Sequence, residues 1–285
     1  MNDNEFVYYR SEGSQKRRKP KRGGAGKIIL IIVICALLSL LLIVGVIMMT
    51  GTRYIIQETE DGLTVKFFGK VDKSGDPYSG KLYYSNGLQA ELDVENGRVT
   101  YTNGDVYEGE LDDLQRDGKG KLTFANGDVY EGEFFRDALT GKGKIVWANG
   151  DVYEGGFKDG LKHGEGKYVW ANGDVFEGSF VDDKKEGDGK MVYADGSSYE
   201  GSYKDDLKDG SGKYVFANGD VYEGEFKADM REGKGKYVWA NGEIYEGEFV
   251  ANNLQGEGTY TWPSGRVYTG TFKNGIIVRE EENNK

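Results

Sequence analysis

The chain has 285 residues and a net charge of −11, with 45 glycines, only three prolines and 13% aromatic residues. That composition excludes a collagen-like chain, which needs far more proline, and a disordered chain, which is poor in aromatic residues. One cysteine, Cys35, and one histidine, His163, exclude an internal disulfide framework and a thiolate metal site, and leave no Cys-His pair outside the apolar run that holds Cys35.

In chain order, residues 1–27 carry eight Lys/Arg against three Asp/Glu, so this basic tail is +5 and the remainder −16. Residues 28–49, IILIIVICALLSLLLIVGVIMM, run without a charge or a proline. As a helix they would span about 33 Å, close to the hydrocarbon thickness of a bilayer, and they are predicted to form a transmembrane helix. The run is longer than the apolar core of a cleaved signal peptide. KRRKPKR precedes it and TGTRYIIQETEDG follows. Basic flanks stay cytoplasmic, which predicts a single-pass type II signal-anchor with everything beyond about residue 50 extracytoplasmic. The basic run reads as a topology signal touching lipid headgroups, and no nucleic-acid partner is expected.

Residues 50–76 read as a juxtamembrane linker with room for strands. Beyond it a repeat sets in. ANGDVYEGEF occurs at residues 125–134 and again at 217–226, and Tyr107, Tyr130, Tyr153, Phe176, Tyr199, Tyr222, Tyr245 and Tyr268 follow one another at intervals of 23. Strict phase of this kind is the signature of an array in which each unit packs on its neighbours in the same way. The recurring Asn-Gly predicts a type I′ hairpin turn, with both residues at positive φ. In YEGEF the alternation places Tyr130, Gly132 and Phe134 on one face and Glu131 and Glu133 on the other. A six-residue variable loop is expected next, then a second strand such as GKGKYVW. Trp147, Trp170, Trp239 and Trp262 share one column with Phe124, Tyr193 and Phe216. Glu131-type and Lys144-type columns are expected to alternate across the outer face.

The stretch YEGEFKADMREGKGKYVWANGD resembles the repeat of the MORN (membrane occupation and recognition nexus) family. The likeness covers about residues 107–275, with 77–106 as a degenerate opening repeat whose phase is lost and 276–285 as an acidic tail. The resemblance implies an all-β, elongated, single-layer antiparallel array of β-hairpin repeats, here of about 15 strands at about 4.8 Å, roughly 70 Å in all. It brings no catalytic residue.

No catalytic residue, cofactor or metal ligand is expected. Carboxylates recur in nearly every unit, which marks them as structural, and His163 reads as a surface loop residue. The chain is expected to be a membrane-anchored, non-catalytic interaction or scaffold module with a protein partner or self-assembly. Glycan binding along an aromatic groove is the alternative, with Tyr130, Tyr153, Tyr222, Tyr245, Trp147, Trp170, Trp239 and Trp262 as candidate groove residues. The competing reading makes the same rings the core of a one-layer sheet. Phospholipid binding is disfavoured by the −16 of the repeat side.

Overall fold

A computed structural model of the chain describes Leu38 and residues 51–59 and 62–278. Two units are delimited, Met1–Thr52 and Arg53–Lys285. Apart from helical Leu38, the transmembrane helix predicted over residues 28–49 lies outside the described residues, as does the basic tail. No helix among the described residues is long and apolar enough to cross a membrane.

From β1 (Thr52–Glu58) to β21 (Ile276–Ile277) the chain forms one antiparallel sheet of 21 strands. The array over residues 107–275 supplies 15 of them, β6 (Val106–Asp112) to β20 (Val267–Lys273), as expected, and the remaining six flank it. Strands that follow one another in sequence lie side by side throughout, as for Tyr153 opposite Ile145 on one side and Tyr168 on the other. Ile276–Ile277, expected to open the acidic tail, pair with Phe272 and Lys273.

The two kinds of turn are exchanged relative to the sequence expectation. At the Asn-Gly positions only glycine has positive φ, +94° at Gly127. The Gly127 N–H donates to Phe124 O and the Phe124 N–H to Asp128 O, both at 2.9 Å, closing a three-residue loop of a type I turn plus a left-handed glycine. Asn126 serves through its side chain, whose Oδ1 accepts from Asp128 N at 3.0 Å. The two-residue turn with both φ positive lies at the opposite end, inside the expected variable loop, as at Arg136 (+49°) and Asp137 (+70°). The supposed loop is therefore the tip of a long hairpin, Val129–Phe135 against Ala138–Val146.

The opening region holds a unit in full register. Phe67 of β2 (Thr64–Val71) is completely buried, and a Cβ added to Gly69 would lie 2.5 Å from Gly80 Cα and 2.7 Å from the Phe67 ring. The next three-residue loop closes as the later ones do, Gly87 N–H to Tyr84 O at 3.0 Å. Phe67 and Ala90 are 23 residues apart, whereas Ala90 and Tyr107 are 17 apart. The missing six residues are a hairpin tip: β4 (Gln89–Asp93) and β5 (Arg98–Tyr101) join through residues 94–97 alone. The phase is thus lost once, by deletion, after a complete first unit.

Candidate functional site

The inner face carries two tiers of rings. The first is a continuous chain of edge-to-face contacts in which the first-strand aromatic touches the ring four residues on, except at Tyr107 where Leu111 stands there, and the corresponding ring of the next unit. Tyr130 meets Phe134 at 5.1 Å and 87° and Phe157 at 5.1 Å and 88°, and such contacts continue from Tyr107 to Phe272. Each is worth about 0.5–1.5 kcal/mol beyond burial. The glycine pairs make room for it. A Cβ on Gly155 would lie 2.6 Å from both Gly166 Cα and the Tyr153 hydroxyl. The predicted groove residues Tyr130, Tyr153, Tyr222 and Tyr245 all belong to this tier and have no accessible surface. Their hydroxyls donate to backbone carbonyls three residues on, Tyr222 to Glu225 O at 2.8 Å and Tyr245 to Glu248 O at 3.0 Å. Burial pushes the Tyr130, Tyr153 and Tyr222 phenols up to about 12.

The second tier is half-exposed and contains the other four candidates, Trp147, Trp170, Trp239 and Trp262. Trp147, Tyr168 and Trp170 stack at 5.3 and 4.4 Å. Met191 interrupts the stripe, which resumes as seven rings in contact: Tyr193, Tyr214, Phe216, Tyr237, Trp239, Tyr260 and Trp262. Acidic turn residues of the preceding unit pin the phenols. Tyr168 donates to Asp151 Oδ2 at 2.9 Å and Tyr237 to Asp220 Oδ2 at 2.7 Å. Burial, reinforced by Asp220, pushes the Tyr237 phenol up to about 12.

Between the tiers runs a row of cations that sequence reasoning missed. Arg116, Lys162, Lys185, Lys208 and Arg231 each stand nine residues after the first-strand aromatic, within the segment read as variable loop. Lys162 Nζ is 6.0 Å from the Trp147 and Tyr153 ring centroids, and the Arg231 guanidinium carbon is 5.1 Å from that of Tyr237. Hairpin tips of the next unit hold most of them. Asp183 Oδ1 accepts from Lys162 N at 2.9 Å and pairs with its Nζ at 2.9 Å, and Asp229 treats Lys208 in the same way. Burial alone would raise the Asp183 carboxyl, but hydrogen bonds from Lys162 hold it below the usual range.

The outer face has the alternating ladder foreseen, with Glu131 opposite both Lys121 and Lys144. Lys167 and Glu177 meet at 2.6 Å, Lys236 and Glu246 at 3.5 Å. All four side chains are largely exposed, so these pairs contribute little to stability. Glycine backbones floor a shallow polar groove between the charges. His163 lies in a strand, Leu161–Val169, not in a loop, and its Nδ1 is 3.4 Å from Asp182 Oδ1. Among the described residues no group of three or more His, Cys, Asp or Glu could hold a metal ion.

A meander whose successive strand pairs from Val106 to Lys273 repeat the same glycine close approach and turn ladder is a single-layer β-hairpin repeat sheet. The pattern of the MORN repeat matches residues 107–129, 130–152, 153–175, 176–198, 199–221, 222–244 and 245–265, more than half of the chain. The chain belongs to the MORN repeat family. No curated protein matches it. Among solved structures it is similar to the SAS-4 (dCPAP) TCP domain of Drosophila melanogaster, in complex with a proline-rich motif of Ana2 (dSTIL). That likeness has 17% identity and a TM-score of 0.35 over 55% of this chain and 86% of that one. The TCP10 domain of Danio rerio CPAP, in complex with a STIL peptide, gives 15% and 0.27 over 77% and 100%. A streptogramin B lyase gives 13% and 0.15 over 78% and 83%. None superposes closely enough to bear on what this chain binds.

Proposed function

We propose that the chain is a non-catalytic, membrane-tethered interaction module whose repeat sheet is displayed on the extracytoplasmic side and binds a protein partner along the half-exposed aromatic stripe. The observation that carries this reading is the continuity of the seven rings from Tyr193 to Trp262, six of them partly exposed around the buried Tyr237, on an otherwise charged surface. Rigidity supports it, because the rings are held by the sheet and several phenols by acidic side chains, so little ordering is left to be lost on binding. The tether is supported by the apolar run of residues 28–49, and its direction by the basic residues before it.

The same rings suit a glycan less well. They tilt by only 27° between Trp147 and Tyr168 and by 54° between Tyr260 and Trp262, so neighbours cover the faces on which a sugar would stack.

The test uses the full chain in cells, with a photo-crosslinking benzoyl-phenylalanine at Trp239 or, on the outer face, at Glu223. A discrete protein adduct from position 239 and none from 223 supports the reading. No adduct from 239, combined with a change in tryptophan emission on adding envelope polysaccharide, moves the function to glycan. Deleting residues 28–49 should release the protein from membranes, and retention there would refute the tether.

A further inference from the structure

Inside the seven matched units the repeat is regular enough for a place where several columns change together to stand out. Four columns change within residues 176–203. Phe176 lacks the hydroxyl of its equivalents, Met191 interrupts the aromatic stripe, Ser197 replaces an acidic turn residue, and Tyr203 stands where the other units have Phe or, at position 111, Leu. Of the four, Tyr203 brings a donor that has no acceptor, whereas the Ser197 hydroxyl donates to Asp195 Oδ1 at 2.6 Å.

Tyr203 is only 4% exposed, and its hydroxyl has no hydrogen-bond partner. Lys185 faces the same ring, its Nζ 5.1 Å from the Tyr203 centroid and 5.6 Å from that of Phe176. Its backbone N–H donates to Asp206 Oδ1 at 3.0 Å, as Lys162 does to Asp183 and Lys208 to Asp229. Those two lysines also give their ammonium groups to the same carboxylates at 2.9 Å, whereas the Lys185 ammonium forms no ion pair among the described residues. Burial holds the Lys185 ammonium below the usual lysine range, with Asp206 and Asp229 favouring its charge and Lys208 opposing it. Tyr193, Tyr199 and Tyr214 add phenols beside Tyr203, and Asp229 adds a carboxylate, which Lys208 already pairs at 2.9 Å. A buried hydroxyl and a half-buried ammonium, both unspent, ask for an acceptor that carries negative charge.

We propose that this spot on the inner face binds an oxyanion, a carboxylate or a phosphate, with the Lys185 ammonium and the Tyr203 hydroxyl as its donors and entry from the half-exposed side of Lys185. Tyr193 and Tyr214 of the stripe border the site, but its two donors, Lys185 and Tyr203, belong neither to the stripe nor to the membrane anchor, so its failure leaves those readings untouched.

The array supplies its own controls. Tyr203→Phe restores the residue of most other units, and Lys185→Leu installs the residue found at Leu139 and Leu254, so both variants are compatible with the fold. Thermal unfolding of the full chain is followed in chloride, acetate and inorganic phosphate at matched ionic strength. For a millimolar site, about 20 mM of the bound anion should raise the wild-type midpoint by about 3 °C over chloride. Acetate or phosphate, whichever acts, tells which oxyanion fits. Both variants should lose that rise while melting in chloride at or above the wild-type midpoint. General salting effects would raise all three proteins alike. An equal rise in the variants, or no rise in the wild type with either anion, overturns the proposal, the latter leaving the Tyr203 hydroxyl to a buried water.

Discussion

At Gly155 there is no room for a methyl group. Its Cβ would press on the Gly166 backbone and the Tyr153 hydroxyl at 2.6 Å, so neither a rotamer change nor a small side-chain shift relieves it. Gly173 is the contrasting case. It has φ +95° but room for a methyl group in ordinary van der Waals contact, the nearest atom being Ala194 Cβ at 3.5 Å. Gly155→Ala should therefore cost about 3 kcal/mol, from overpacking a tight contact. Gly173→Ala should cost only about 1–2 kcal/mol, from the left-handed conformation. Urea unfolding of the two variants measures the difference. If the turn glycine proved the more costly, the rings would not be the close-packed layer described above. The same two positions show what the sequence can reveal by eye, since both glycines recur every 23 residues but their neighbours in space decide what each one does.

Between neighbouring units the binding element is a ladder of turn aspartates. Asp128 Oδ1 accepts from Ala148 N, Asp151 from Ala171 N and Asp220 from Ala240 N, each at 2.8 Å. Those backbone hydrogen bonds are the main reason that the Asp151 and Asp220 carboxyls lie below their ordinary range, with phenol and asparagine donors adding to the effect. A carboxyl depressed in the folded state adds stability that is present above its unfolded pKa, about 3.9, and is lost as pH falls through the folded value. The thermal midpoint should thus stay level from pH 7 to 5 and fall below about pH 4. Asp220→Asn should lower the neutral midpoint and flatten the acid decline. An unchanged acid profile in that variant would remove the ladder from the account. The sequence announced the ladder's periodicity but not its bonds, because Asn-Gly-Asp reads as a turn whether or not its aspartate reaches the next unit. The hairpin tips were harder. Pairs such as Ala228-Asp229 and Ala251-Asn252 carry no strong turn signal, and their positive φ values are fixed by cross-unit bonds such as Asn252 Oδ1 accepting from Arg231 N. The first unit escaped notice for a related reason. Phe68 occupies the outer-face position that holds glutamate in the seven matched units, and the six residues missing after Ala90 break the count before it can reach back to Phe67. Of the candidate site, the tryptophan column was legible, whereas the cation row was hidden within residues read as loop.

For the whole molecule, the consequence of uniform register is that length is separable from fold. Removing residues 222–244 joins Val221 to Tyr245 and rebuilds an unbroken Val-Tyr-Glu-Gly strand, with the same partners on both sides. The shortened chain should fold cooperatively with a urea m-value reduced in proportion to the surface lost. Removing residues 222–232 instead sets a second strand where a first strand belongs, and that protein should not recover a cooperative transition. Equal behaviour of the two deletions would mean that neighbouring units do not recognise one another by register. The continuous chain of rings also gives the molecule an optical character. The tyrosines of the matched units pass through ring contacts of 4.4 to 6.4 Å toward a column that holds all four tryptophans. Light absorbed by a phenol should drain to an indole before it is emitted, so the folded sheet should glow as tryptophan alone. Tyrosine emission, returning as the ladder comes apart, would then report unfolding without any added label.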